Sequence, residues 1–243
     1  MSKVDNPWKI VDREVREYND RQYNEMYRST NFTINCLDNI LSLKSNLSIL
    51  DVGCSAGANL YHIVKKFPNH NYVGIDINKY FLNQAVEKYR ELNIKNTSFI
   101  NLDFKSYNTK HDIIGSSQFL EVLDYNEGKD FQKFCFDNSK LGVFFTAMFS
   151  ERLIDTETYM HDYTFSPKKK VPHCIYSIPK LVELAENKGF KLIKNEKFII
   201  DIDLSDSHTG RGTYTIKDEN SNRMMFSDVL YMPWKFLYFE RVR

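Results

Sequence analysis

Apolar and polar positions follow two periods along this chain, and between residues 48 and 149 the two alternate regularly. Apolar runs at 49–52, 71–76, 97–104, 111–118 and 141–149 have the length and composition of buried strands. Between them the apolar residues move to helical spacing: Leu60, Ile63, Val64 and Phe67, then Phe81, Leu82, Ala85, Val86 and Tyr89, then Phe131, Phe134 and Cys135. Five strand-helix units in succession predict an α/β fold with a doubly wound, mostly parallel sheet, and such sheets bind ligands at the carboxyl ends of their strands. A further helix is expected after Ser177, with Pro179 in its first turn and Leu181, Val182, Leu184 and Ala185 on its apolar face, up to Gly189. Strands at 190–200 and 234–242 complete the pattern. Ahead of it, Val11, Val15, Tyr18 and Tyr23 line one helix and Phe32, Ile34, Leu37, Ile40 and Leu41 a second. Two stretches, 151–176 and 201–233, stand outside the alternation, and long connections of this kind commonly carry function.

The chemistry gathers where the first strand ends, in the segment SILDVGCSAGANL at 48–60. A small-residue turn between a strand and a helix brings bare backbone close to a ligand, with the unpaired N–H groups of the helix nearby. Asp76, ending the second strand about twenty residues after the turn, is placed to accept both hydroxyls of a ribose. The competing role for that position is a helix cap, which Asn78 also serves. Asp103 ends the third strand in the same way. The dinucleotide fingerprint G-x-G-x-x-G is absent, which weighs against a nicotinamide oxidoreductase.

Asp51, Gly53, Ser55 and Gly57 resemble the glycine-rich first motif of class I S-adenosylmethionine (SAM) dependent methyltransferases, with Ser55 where the middle glycine usually stands. The resemblance implies a Rossmann-like sheet of seven strands with an antiparallel last strand, SAM as cofactor, and an N-terminal helical lid over 1–45. That lid would carry Tyr23 and Arg28 toward the donor. Cys54 and Asn59 in the turn and Ile77 beside Asp76 join the expected donor contacts. By the same resemblance Asp103 accepts the adenine amine, Phe104 packs on the adenine ring, and Gln118 and Phe119 wall the methyl group. Many members carry a histidine where this chain has Val122. Nucleic-acid amino-methylating members carry an Asn- or Asp-Pro-Pro-aromatic motif after the fourth strand, where Gln118, Phe119, Leu120 and Glu121 stand here.

With 243 residues the chain is expected to form a single domain spanning 1–243, with 151–176 and 201–233 as substrate-binding insertions. Lysine plus arginine, 33, nearly balances aspartate plus glutamate, 32, so the charge footprint of a nucleic-acid binder is missing. Cys36, Cys54, Cys135 and Cys174 lack metal-site or disulfide spacing and read as reduced thiols of a cytoplasmic protein; no metal is expected. The N-terminus lacks an apolar signal core and the run at 141–149 is too short to cross a bilayer, so no membrane partner is expected. The chain is expected to act as a monomer or homodimer. His161, with Asp162 beside it, is the leading general-base candidate and His173 the reserve. Lys168, Lys169, Lys170 and the Gly210-Arg211-Gly212 segment favour an anionic ligand. The expected acceptor is a small molecule methylated on oxygen, anionic or nucleotide-linked, such as a surface-polysaccharide precursor. N-methylation of a small amine and a non-catalytic SAM-binding regulator are the alternatives.

Overall fold

A computed structural model describes residues 13–162, 169–206, 213–227 and 229–242. In the central sheet β1 (Ser48–Val52), β2 (Asn71–Asp76), β3 (Thr97–Asn101), β4 (His111–Ser117) and β5 (Ser139–Ser150) run parallel. The helices α3 (Ala58–Lys66), α4 (Lys79–Glu91) and α5 (Tyr125–Asn138) connect them. After the insertions come α6 (Ile178–Asn187), β8 (Phe190–Lys197) and β12 (Trp234–Arg241), and β12 lies antiparallel between β5 and β8. The order β3-β2-β1-β4-β5-β12-β8 is the doubly wound, seven-stranded Rossmann-like arrangement with an antiparallel final strand that the periodicity and motif together imply.

Alternation along each strand divides the core in two. Leu50, Ile114, Val143, Phe145, Leu237 and Phe239 face α5 and α6, where Phe131, Phe136 and Leu181 meet them. Ile49, Tyr72, Ile113, Phe144 and Phe236 face the other side and are covered by α2 (Arg28–Leu41) and α3. Asp112, which opens β4, locks the opposite, amino-terminal end, accepting from the backbone N–H of Ser48 at 2.8 Å and from its hydroxyl at 2.9 Å. All four cysteines are buried and free. No helix among the described residues is long and apolar enough to cross a membrane.

Three expectations need correction. The third strand ends at Asn101 rather than running to Phe104, because Asp103 turns the chain by accepting the Lys105 N–H at 2.9 Å and capping a single 3₁₀ turn over Phe104–Ser106. The first insertion is not a loop but a hairpin of β6 (Thr156–Asp162) and β7 (Lys169–Ser177), whose end joins β5 through Phe149–Tyr176 and Ser150–Ser177. The second holds a separate antiparallel sheet of β9 (Thr213–Lys217), β10 (Arg223–Ser227) and β11 (Leu230–Tyr231), with Tyr214 and Phe226 stacked 5.5 Å apart. Lysines and hydroxyl residues among the alternating apolar positions hide these strands from a reading by periodicity. Val11, Lys168, His208, Gly210, Arg211 and Gly212 lie outside the described residues.

Candidate active site at the carboxyl edge of the sheet

The turn after β1 adopts the backbone its residue types predict. Gly53, Ser55 and Gly57 have φ of +73°, +51° and +77°, so Ser55 holds the left-handed conformation that glycine holds without strain. Gly57 starts α3 with no side-chain cap, leaving the N–H groups of the first turn toward the edge. The lack of a Cβ at Gly57 serves packing, since one would lie 3.1 Å from the Phe99 ring and 3.2 Å from the Ala85 Cβ. At Gly53 a Cβ would stand 2.2 Å from the Phe119 ring. Close approach at Gly53 is therefore used by an aromatic side chain of this chain.

Asp76 closes over this turn from the end of β2. Its Oδ2 accepts from the Ser55 N–H at 2.9 Å and its Oδ1 from the Asn78 N–H at 2.8 Å, while Asn78 itself caps α4 by accepting from Tyr80 and Phe81. Asp76 thus organises the turn, and the cap role falls to Asn78. Burial raises the carboxyl of Asp76, with the backbone N–H groups of Asn78 and Ser55 opposing it. Asp51, buried at the end of β1, is pushed up to about 7 by burial and then by the nearby charge of Asp76. Cys54 is buried beneath the turn, and its thiol is held far toward the neutral form by burial. Ile77 is partly exposed beside Asp76.

The other donor-site candidates divide. Asn59 and Gln118 come together at one crevice with Ser29, Thr30 and Thr33 of α2. There Asn59 Oδ1 accepts from the Thr30 hydroxyl at 2.6 Å, and Gln118, at φ +60°, donates its N–H to Thr146 O at 2.9 Å. Thr33 and Thr146 share a 2.9 Å hydroxyl contact that ties α2 to β5, a link no sequence pattern announced. Tyr23 is buried on α1 (Arg13–Asn24), and its hydroxyl donates to Ala56 O at 2.5 Å; it clamps the helix to the turn rather than presenting a free hydroxyl. Arg28 faces outward, paired with Asp201 at 2.6 Å, away from its expected place. Phe104 is committed to the core against Phe131 and Phe134, and Asp103 is exposed at its cap.

The histidines sit on the hairpin. His161 is exposed on β6, across from Lys170. His173 pairs across the hairpin with Thr158 and points to the face opposite Cys174 and Tyr176, which join the core. A residue that the sequence reading passed over is Glu121, in the 3₁₀ turn Leu120–Val122 just after Phe119: it is 2 % exposed, and burial pushes its carboxyl up to about 8. Its signal was an acid inside the apolar run Phe119-Leu120-Glu121-Val122-Leu123.

Known proteins converge on the same reading. A family model described as "Methyltransferase domain" matches residues 43–199. Magnesium protoporphyrin IX methyltransferase from Synechocystis PCC 6803, solved with bound SAM, superposes with a TM-score of 0.60 at 12% identity, covering 95% of this chain and 92% of that one. A carboxy-S-adenosyl-L-methionine synthase of Nautilia profundicola is 28% identical over 189 residues, 69% of this chain and 75% of that protein. A tRNA (guanine-N(7)-)-methyltransferase of Rubrobacter xylanophilus is 38% identical over 56 residues, and the match spans only 25% of that relative and 23% of this chain. With its glycine turn, its strand order and a family match that covers most of the sheet, this chain belongs to the methyltransferase-domain family of class I, SAM-dependent folds.

Proposed function

We propose that this chain transfers a methyl group from SAM to a small-molecule acceptor at the carboxyl edge of β1, β2 and β4. The observation that carries the reading is the pairing of a left-handed, uncapped turn with two neighbouring acids, the buried Asp51 and the half-buried Asp76, within a chain of this family. Those residues fit the donor. A ligand with hydroxyl groups and an ammonium would give the two carboxyls charge-stabilising partners beyond the backbone N–H groups that Asp76 already holds, and the open N–H groups of α3 face the same edge. Asp76 and Asp51 would hold the polar groups of SAM, and Asn59 and Gln118 would close the α2 side. When bound, SAM supplies an electrophilic methyl carbon on a positively charged sulfur. The protein's part is to align the acceptor, exclude water and manage a proton.

The acceptor enters beneath the β6–β7 hairpin, which crosses the β4–α5 connection. Asp155 holds that arm in place, accepting from the Ser177 N–H at 2.6 Å and the Tyr125 hydroxyl at 3.0 Å. An anionic acceptor methylated on oxygen is the finer reading, and a nucleotide-linked polysaccharide precursor is one member of that class. Among the described residues the basic charge that supports it includes Lys170 of the hairpin, 3.8 Å over the Tyr159 ring, whereas Lys217 and Arg223 are both engaged by Asp203. His161 and His173 lie on the hairpin itself.

A mass-spectrometric screen with SAM and a panel of small acids, nucleotide sugars, phenols and amines tests the reading: a product heavier by one methyl group, formed together with S-adenosylhomocysteine, is expected. SAM bound but unconsumed across the panel would favour the non-catalytic alternative. The extent of the match to the carboxy-SAM synthase favours one second reading, in which SAM itself is modified. Its mark is a heavier SAM without S-adenosylhomocysteine.

A further inference from the structure

Beneath the same edge, on the α5 side of the sheet, polar side chains gather where the core is otherwise apolar. Glu121 Oε2, Ser116 Oγ and both amide atoms of Gln132 are buried without a hydrogen-bond partner among the described residues. The Tyr176 hydroxyl has only the Cys174 thiol beside it. These groups come from four elements that pack on one another: β4, the 3₁₀ turn, α5 and β7. Gly128 makes the meeting possible, since a Cβ there would fall 1.8 Å from the Tyr176 hydroxyl. Gln132 lies one turn further along α5, and helical side chains lean toward the N-terminus, which directs its amide toward that hydroxyl. Unpartnered buried polar groups are rare and costly, and a cluster of them at a ligand-binding edge calls for a functional reason.

We propose that Glu121 is a second working carboxyl of this edge: it gives its proton to solvent when the sulfonium donor binds beside the glycine turn, and its carboxylate then takes the proton of the acceptor. The inference rests on the methyl-transfer reading above and names the proton acceptor that Val122 fails to provide. In the transfer the acceptor's O–H bond breaks and its oxygen bonds to the methyl carbon. The carbon–sulfur pair stays on the departing thioether, and the proton ends on Glu121. Position supports the role, because Glu121 follows by two residues the Phe119 ring that lies on Gly53. Burial supports it too, by holding the free protein's carboxyl in its neutral form up to about 8. The elements packed against its turn are β7, which carries Tyr176 and Cys174, α5, which carries Gln132 and Cys135, and β5, which presents the apolar Phe145, Ala147 and Phe149 on this face. Lys129 of α5 stands over the Tyr176 ring at 5.9 Å but is engaged by Asp155 at 3.6 Å, so the sulfonium charge is the group that tips the balance.

Calorimetric titration with SAM and with S-adenosylhomocysteine tests this without any acceptor. The two ligands share ribose and ammonium, so proton exchange at Asp51 and Asp76 is common to both, whereas only SAM carries the sulfonium. The ratio of SAM to S-adenosylhomocysteine affinity is expected to rise with pH from about 6 to about 8, by at most about tenfold per pH unit, and to become flat in Glu121→Gln. A ratio independent of pH in the parent, or an unaltered slope in Glu121→Gln, overturns the inference. Should that variant fail to fold, ¹³C NMR of the Glu121 carboxyl in the parent decides the point: deprotonation on adding SAM near neutral pH is expected, and an unchanged resonance overturns it. A chain that binds neither ligand instead contradicts the methyl-transfer reading itself.

Discussion

At the scale of single residues, buried carboxyls set the behaviour of this protein. Asp51 rises from 3.8 to about 7 and Glu121 from 4.5 to about 8, so each binds a proton in the folded chain over a range where the unfolded chain has released it. A raised acid stabilises the fold fully below its unfolded value, and that contribution is lost as pH climbs through the folded value. Thermal stability should therefore fall between about pH 5 and pH 8, and Glu121→Gln should flatten part of that slope, by on the order of 3 kcal/mol, in melts followed by circular dichroism. An identical slope in the variant would show that Glu121 is not held neutral. Asp76 was legible as a strand-end acid, and its place beside the turn agrees with that reading. What could not be read was how its oxygens are divided between Ser55 and Asn78, because that depends on how tightly the turn folds back. Tyr23 and Arg28 show the same limit: a helix face is visible in sequence, but the carbonyl or carboxylate that a side chain meets across the fold is not.

Among the elements, the turn between β1 and α3 and the helices that brace it decide whether the edge keeps its shape. Gly57→Val forces a branched side chain into a φ of +77° against Phe99 and Ala85, and equilibrium denaturation should show a loss of roughly 2–4 kcal/mol. Ser55→Gly places glycine at φ +51° and should be tolerated or stabilise by up to about 1 kcal/mol; a clear loss would mean that the serine side chain matters more than the backbone strain. Tyr23→Phe removes the hydroxyl that holds α1 to Ala56 O, and about 1 kcal/mol of stability should go with it, together with faster amide exchange in α1. The central strands and helices were plain in the periodicity because each is buried along a face. The strands of the second insertion were not, because none of β9, β10 or β11 contains a fully buried residue to mark a core-facing row.

For the molecule as a whole, strand order and edge chemistry give one account: a doubly wound sheet gathers the ends of β1, β2 and β4, and the hairpin joins the carboxyl end of β5 on the same side. The central claim is that Asp76 and the glycine turn hold SAM there. Isothermal titration of SAM into the parent and into Asp76→Ala, with circular dichroism to establish that the variant is folded, tests it most directly. Loss of charge-assisted hydrogen bonds worth roughly 3 kcal/mol predicts an affinity weaker by on the order of a hundredfold. A folded Asp76→Ala that binds SAM as tightly as the parent would contradict the account.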